Sequence, residues 1–330
     1  MNPYQIFDKS ISFEENALQI FQFQKENNAV YERFCKALGV SKVNSISEIL
    51  FLPIQAFKEK EVTTGRENSK FKIQNLEFLS SGTSGMDRSR HMVADPKIYK
   101  QSIFDGMKEF YDLDDYVILA YTPGYNSNPN SSLIWMLNAL IKRENTGLSR
   151  FLELDRSLVQ TEIDEIGSLG KKLMLFGAAF GLLDLAENSD VDLPSNSIVM
   201  ETGGMKTFKR EMTKADLHQQ LAKGFNLSKE NIHSEYGMTE LLSQAYSRGS
   251  EWFECPSWMK VTIRDPKNPT VELAAGEEGL IGVMDLANVY SCSFILTGDK
   301  GVMNDENQFQ VLGRWNPKNL RGCNFLIDRD

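Results

Sequence analysis

The chain has 330 residues, 41% of them hydrophobic and 25% charged, which is the make-up of a folded globular protein with room for one large domain or two of ordinary size. Its net charge of −9 argues against a surface for nucleic acid or an acidic membrane, so an anionic substrate must be met by local donors. The four cysteines, Cys35, Cys255, Cys292 and Cys323, form no CxxC pair and indicate neither a zinc site nor a disulfide framework. Reduced thiols and a cytoplasmic location are the default expectation.

Residues 1–10 carry no basic stretch followed by an apolar one, so no secretory signal is expected. Ser12 and Glu15 make a capping box ahead of Ala17, Leu18, Ile20 and Phe21, and helical apolar spacing continues to Leu38. Leu52-Pro53-Ile54 reads as an extended crossing segment. After an apolar stretch ending at Leu79 comes Ser80-Ser81-Gly82-Thr83-Ser84-Gly85. Its glycines let a loop turn tightly enough for backbone N–H groups to converge on an anion, and its hydroxyls add donors for phosphate oxygens. No Gly-Lys-Ser/Thr follows, so it is not a Walker loop. Asp95-Pro96 then opens a helix toward Tyr111, with proline at the first helical position.

Beyond that point strands and helices alternate. Strands are predicted at 117–121, 172–176, 197–200 and 231–234, and helices at 131–143, 160–169 and 216–223. The last helix is capped by Thr213 and Asp216 and stops at Gly224. This alternation favours an α/β fold with a mainly parallel sheet. The final stretch reads as short strands at 259–263, 279–284, 294–296 and 309–312, a β-rich subdomain. No apolar run approaches the roughly 20 residues of a membrane helix. The longest candidate, Leu173 to Leu185, is too short. Within it, Phe176 to Leu183 is either an ordinary buried helix or the lining of an acyl tunnel. His91 and His218 stand in polar contexts and read as surface residues, while His233 sits at a strand end.

Four motifs follow the loop. Glu201-Thr202-Gly203-Gly204-Met205-Lys206 ends a strand; its glycine pair is either a plain turn or a place where a flat ligand approaches the backbone. In Ser234-Glu235-Tyr236-Gly237-Met238-Thr239-Glu240, Tyr236 offers a stacking face. Thr239 offers a hydroxyl for phosphate. Glu240 is either a Mg²⁺ ligand or an acidic residue at a helix start. Thr297-Gly298-Asp299 is either a turn or a ribose-diol acceptor. Gly313-Arg314 comes next, and then Arg321-Gly322-Cys323.

In this order the motifs resemble the adenylate-forming superfamily of acyl-CoA synthetases, luciferases and adenylation domains. That family reads roughly Ser/Thr-Ser-Gly-Thr-Thr-Gly, Tyr-Gly-x-Thr-Glu, Thr-Gly-Asp, then Gly-Arg and Arg-Gly. Within it the chain is most similar to the LuxE-type acyl-protein synthetases of the fatty-acid reductase complex. Residues 52–58, 130–136, 203–206 and 321–323 carry that likeness.

The resemblance implies one catalytic domain over 1–330: a helical segment at 1–75, an α/β core with the nucleotide loop at 76–247, and a β-rich part at 248–330 ending in the Cys323 tail. It implies ATP and Mg²⁺, and activation of a carboxylic, fatty acid to an acyl-adenylate. The acyl group would then pass to Cys323 as a thioester for a reductase or acyltransferase partner. By the same resemblance Ser80, Ser81, Gly82, Thr83, Ser84, Gly85 and Arg88 would hold the triphosphate, with Thr239 on the α-phosphate and Glu240 on Mg²⁺. Gly203, Gly204, Tyr236 and Gly237 would frame the adenine, and Asp299 and Arg314 would hold the ribose.

Two departures stand out. Met86-Asp87-Arg88 replaces the usual Pro-Lys after the loop. The sequence also stops at Asp330, where the family continues into a lid with a catalytic lysine, so a fold without that lid is expected. Two alternatives follow: a CoA or carrier-protein ligase whose lid comes from another polypeptide, and a catalytically silent binding module of the same fold.

Overall fold

The computed structural model describes residues 2–65, 76–80, 88–123, 128–154, 157–203 and 212–315. Ser81 to Gly85, Gly204 and Arg321-Gly322-Cys323 lie outside them. The chain divides into two compact units, one formed by Met1–Ser102, Met238–Ser243 and Cys255–Asp330, the other by Ile103–Gly237 and Gln244–Glu254.

In the first unit the N-terminal helical run is two helices, α1 (Phe13–Asn27) and α2 (Ala29–Ala37). Ser12 caps α1, its hydroxyl accepting from the Glu15 N–H. The break falls at Asn28, whose side-chain oxygen caps α2 by accepting from Val30 and Tyr31, while its amide donates to the Ser291 carbonyl. A short polar side chain that offers the backbone an alternative partner ends one helix and starts the next. Strand β1 (Leu52–Pro53) is the expected crossing segment and is followed by a short helix, α3 (Ala56–Glu59). Strands β2 (Leu76–Leu79) and β3 (Arg90–Val93) form a two-stranded antiparallel ribbon flanking the Ser/Gly loop. Helix α4 (Pro96–Lys108) begins on Pro96 as expected.

In the second unit a six-stranded sheet runs β5-β4-β6-β7-β8-β9. It contains β4 (Tyr116–Tyr121), β5 (Arg150–Phe151), β6 (Lys172–Ala178), β7 (Ile198–Thr202), β8 (Ile232–Tyr236) and β9 (Ala245–Arg248). All neighbours are parallel except β8–β9. Strands β4, β7 and β8 are buried along their whole length, as a parallel sheet covered on both faces requires. Helices α5 (Ser132–Arg143), α6 (Gln160–Ser168), α7 (Ala179–Asn188) and α8 (Lys214–Gly224) make the crossovers. Leu182, Leu183 and Leu185 of α7 sit in the core with Leu175, Val199 and Leu221.

The first unit closes with the β-rich part: β10 (Met259–Arg264), β11 (Gly279–Asp285), β12 (Phe294–Met303) and β13 (Phe309–Arg314), joined to β1 in a five-stranded sheet. β12 runs past the expected end at 296, so Thr297-Gly298-Asp299 lies inside a strand and not in a turn. No described helix is long and apolar enough to cross a membrane.

At both glycines of 176–183 neighbouring protein atoms take up the space a side chain would need. A Cβ on Gly177 would stand 2.1 Å from the Tyr121 carbonyl oxygen, and one on Gly181 would stand 2.5 Å from Pro123. The segment is packed core. Gly177→Ala therefore has to push apart two registered strands, β4 and β6. It should destabilise the protein by about 2 kcal/mol or more, outweighing the ~0.4–1 kcal/mol that a lost glycine takes from the unfolded chain. Urea denaturation measures the difference.

Candidate active site

In the first unit Ser80 and Ser89, on either side of residues 81–87 in the sequence, make a reciprocal pair. Ser80 N–H donates to the Ser89 carbonyl (3.1 Å) and Ser89 N–H donates to Ser80 Oγ (2.9 Å). The Ser80 oxygen, expected on phosphate, accepts in this pair, which leaves its own O–H as a donor. Arg88 is exposed beside it.

Thr239 and Glu240 do not start a helix. They form a turn closed by Leu241 N–H on the Met238 carbonyl (3.0 Å). The acidic helix-start reading is corrected by this backbone, which never enters helical hydrogen bonding. The Glu240 carboxyl is 4% exposed. Burial raises its pKa, opposed by a hydrogen bond from the Ser89 hydroxyl, by its own backbone N–H, and by the positive charges of Arg314 and Lys58.

Arg314 in turn meets Asp299, Nε to Oδ1 at 3.0 Å. The two residues are directly paired across β12 and β13, which is why positions 15 apart in sequence coincide. Gly298 lies beneath that arginine; a Cβ there would stand 3.2 Å from Arg314 Nη1. The Ser80–Ser89 pair, the buried Glu240 carboxyl and the Arg314–Asp299 ion pair therefore all belong to this unit.

In the second unit the remaining motif residues sit at the carboxyl ends of β7 and β8. This is the edge at which open α/β sheets bind ligands. Gly203 is exposed with φ +90°, a conformation that suits glycine. Tyr236 is buried edge-on against Phe253, with centroids 5.9 Å apart, and the Lys214 ammonium lies over the other ring at 4.0 Å. Gly237 is exposed, and the Glu235 carboxyl occupies the space a side chain there would need. The Thr202 hydroxyl donates to Glu235, whose pKa burial pushes up to about 7, with the Glu201 charge adding to the rise.

All three histidines are buried, so the surface reading of His91 and His218 is corrected. Their polar neighbours in sequence face solvent while the rings turn inward to specific partners. His91 Nδ1 meets the Thr239 carbonyl at 2.8 Å and must carry the proton, since a carbonyl only accepts. His233 Nε2 meets the Glu230 carbonyl (3.1 Å) and Nδ1 accepts from the Tyr111 hydroxyl (3.0 Å). His218 Nε2 lies 3.1 Å from Ser234 Oγ and 3.5 Å from Glu201.

Sequence reading also missed Ser89, Lys58, Asp285 and Asn288 as parts of this region. For Ser89 and His91 a signal exists: they alternate on one face of the strand that leaves the loop. No group of three or more His, Cys, Asp or Glu able to hold a metal occurs among the described residues. A lone carboxylate such as Glu240 still suits Mg²⁺, which takes one or two carboxylates and completes its shell with phosphate and water. Burial of Glu240 disfavours the bare anion, so a cation beside it would be favourable.

A family model described as "Acyl-protein synthetase, LuxE" matches residues 4–330. The chain is 24% identical over 325 residues to a long-chain-fatty-acid–luciferin-component ligase of Vibrio harveyi, covering 92% of this chain and 84% of that one. It is 23% identical to the ligase of the same name from Aliivibrio fischeri, covering 92% and 85%. Among solved structures it matches ATP-bound MatB from Rhodopseudomonas palustris with a TM-score of 0.52 at 14% identity, over 76% of this chain and 50% of that one. A 2-hydroxyisobutyryl-CoA ligase with bound 2-HIB-AMP and CoA gives 0.62 at 12% identity, over 91% and 68%. The chain thus spans about half the length of the MatB protein it matches, and the likeness to both solved structures is one of fold.

Burial lowers the pKa of His91 and of His233 to about 4, against about 6.5 in the unfolded chain. A depressed histidine pKa favours folding fully above the unfolded value, and that contribution is lost as pH falls from 6.5 through 4. Long-range ¹H–¹⁵N NMR at pH 5.5 should therefore show both rings neutral, His91 as the Nδ1–H tautomer and His233 as Nε2–H. A midpoint near 6.5 for either ring would contradict the burial described.

Proposed function

The chain belongs to the LuxE family of acyl-protein synthetases, and on that footing we propose that it uses ATP to activate a long-chain fatty acid and carries the acyl group on Cys323. The observation that carries this reading is that one unit holds the Ser80–Ser89 pair, the buried Glu240 carboxyl and the Arg314–Asp299 ion pair. The ligase names of its relatives support the fatty-acid substrate, and the adenylate-forming fold supports ATP.

In the first step a carboxylate oxygen attacks the α-phosphorus of ATP. The bond to the bridging oxygen breaks, pyrophosphate leaves, and an acyl-adenylate remains. Such a displacement needs in-line positioning and neutralised charge more than covalent help. Residues 80–85 and Arg88 would hold the triphosphate and Thr239 the α-phosphate. Asp299 would accept from the ribose hydroxyls, oriented by Arg314. Gly203, Gly204, Tyr236 and Gly237 would frame the base. Glu240 would hold Mg²⁺, which supplies charge neutralisation at the phosphates.

In the second step the Cys323 thiolate attacks the acyl carbonyl and AMP leaves, giving a thioester that a reductase or acyltransferase would consume. Two of the other three cysteines support this choice. Burial pushes the Cys35 thiol up to about 11 and the Cys292 thiol up to about 12, so neither supplies a thiolate near neutral pH.

Radiolabelled pyrophosphate should exchange into ATP only when a fatty acid is present. Labelled acid plus ATP should give a hydroxylamine-sensitive protein adduct that is lost in Cys323→Ser and kept in Cys35→Ser. No exchange with any acid would leave the silent binding module in place of this reading. Exchange with an adduct that survives Cys323→Ser would reject self-acylation at this cysteine.

A further inference from the structure

Asp285 and Asn288 are the first and last residues of one tight turn, in which Asp285 caps the 3₁₀ segment Leu286–Asn288 by accepting from the Ala287 N–H (3.1 Å). Such a segment has about three residues per turn, so residues three apart come round to the same side. Both side chains bond to the irregular segment that carries Thr239 and Glu240. Asn288 Nδ2 donates to the Glu240 carbonyl at 2.8 Å, and the Asp285 carboxylate accepts from the Leu242 N–H at 2.7 Å and the Ser243 N–H at 3.0 Å. Gln24 of α1 anchors the turn in its place. It donates to the Asn288 carbonyl (2.9 Å) and the Val289 carbonyl (3.0 Å), and accepts from the Ser293 N–H (3.0 Å). We propose that Asn288, backed by Asp285, is a positioning residue that fixes the backbone at Glu240, so that the Glu240 carboxylate is held ready for the Mg²⁺ of a bound Mg²⁺–nucleotide. This rests on the role given to Glu240 above.

Fold stability gives little reason for an asparagine at 288. The residue is 0% exposed, and its Oδ1 has no hydrogen-bond partner among the described residues. An apolar residue there would remove that unpaired oxygen but leave the Glu240 carbonyl without its donor. One buried acceptor lacks a partner in either case, so the two costs offset each other. What the asparagine changes is where the Glu240 carbonyl lies. The preceding carbonyl repeats the pattern. Thr239 accepts from His91 Nδ1–H at 2.8 Å, and His91 Nε2 is buried and unpaired among the described residues. These two carbonyls belong to the peptide planes on either side of the Glu240 Cα. Each plane is rigid, so holding both fixes φ and ψ at Glu240 and with them the direction of its Cβ. Loss of a supporting hydrogen bond at a metal-ligating group typically costs about 10–100-fold in metal affinity or activity.

The test measures binding of α,β-methylene-ATP to the full chain by calorimetry, with Mg²⁺ and with EDTA, beside a thermal melt. The variants are Asn288→Leu, Asn288→Ala, Glu240→Gln, and Asn288→Leu combined with Glu240→Gln. Asn288→Leu should weaken binding about tenfold with Mg²⁺ and leave it unchanged in EDTA. Its melting temperature should move by no more than about 4 °C. Glu240→Gln should lose the Mg²⁺-dependent part of the affinity. Adding Asn288→Leu to it should then cost nothing further, because the asparagine acts through Glu240. Asn288→Ala, which leaves space where leucine adds bulk, should show the same Mg²⁺-dependent loss and decides the matter if Asn288→Leu does not fold. Parental affinity with Mg²⁺ in a folded Asn288 variant overturns the proposal, as does an equal loss in EDTA or a loss that adds in full to that of Glu240→Gln. If Glu240→Gln itself binds as tightly as the parent with Mg²⁺, the role of Glu240 fails and the proposal falls with it. A loss in Glu240→Gln with none in the Asn288 variants rejects the proposal alone.

Discussion

The Asp285 carboxylate, fully buried at the end of β11, is the interaction on which the first unit's site depends. It accepts from the Leu242 N–H (2.7 Å), the Ser243 N–H (3.0 Å), the Ser243 hydroxyl (2.6 Å) and the Ala287 N–H (3.1 Å). Residues 238–243 belong to no helix or strand, so beyond the Leu241 N–H bond to the Met238 carbonyl their backbone groups depend on side chains or water for partners. Asp285 takes two of their N–H groups, Asn288 donates to the Glu240 carbonyl (2.8 Å), and Trp258 Nε1 donates to Ser243 Oγ (2.9 Å). Burial pushes the Asp285 pKa up to about 6, with the donors pulling it down. Hydrogen bonds to a charged group are among the stronger ones, about 1.5–3 kcal/mol each. One side chain thus holds the irregular segment that presents Thr239 and Glu240.

The motif from Ser234 to Glu240 is divided between two kinds of support. Ser234, Glu235 and Tyr236 are held by the ladder of β8, with β7 parallel on one side and β9 antiparallel on the other. Past Gly237 the ladder ends, and the chain contributes residues 238–243 to the other unit. In the sheet the positions are set by backbone hydrogen bonding, which tolerates many side chains. In the turn they are set by Asp285, Asn288 and His91, whose donors and acceptors have few substitutes.

This division also explains what could be read from the sequence. The strand–helix alternation of the second unit was legible because each element carries its own periodicity, and the observed bounds of β4, β6, β7 and β8 lie within two residues of expectation. The caps Ser12 and Thr213 were legible for the same local reason. The motif order identified Glu240, Asp299 and Arg314 as candidates, but not what surrounds them. Thr297-Gly298-Asp299 looks like a turn because its glycine and aspartate are turn formers, yet β13 pairs with it and keeps it extended. His91 and His218 look exposed because their neighbours in sequence are polar. Their partners, Thr239 for one and Ser234 for the other, are set by tertiary contacts that no window of sequence contains.

Comparing the buried carboxylates separates structural acids from one with capacity to act. Asp285 is met by four donors, so its lone pairs are spent on the fold. Glu235 takes the Thr202 hydroxyl, and burial, with the Glu201 charge adding to it, pushes its pKa up to about 7. Glu240 differs from both. Burial penalises its anion, and the opposing influences of Ser89, its own backbone and the Arg314 and Lys58 charges leave its pKa raised all the same. Such a carboxylate gains most from a further cation, because the cation would relieve the desolvation that the fold leaves in place.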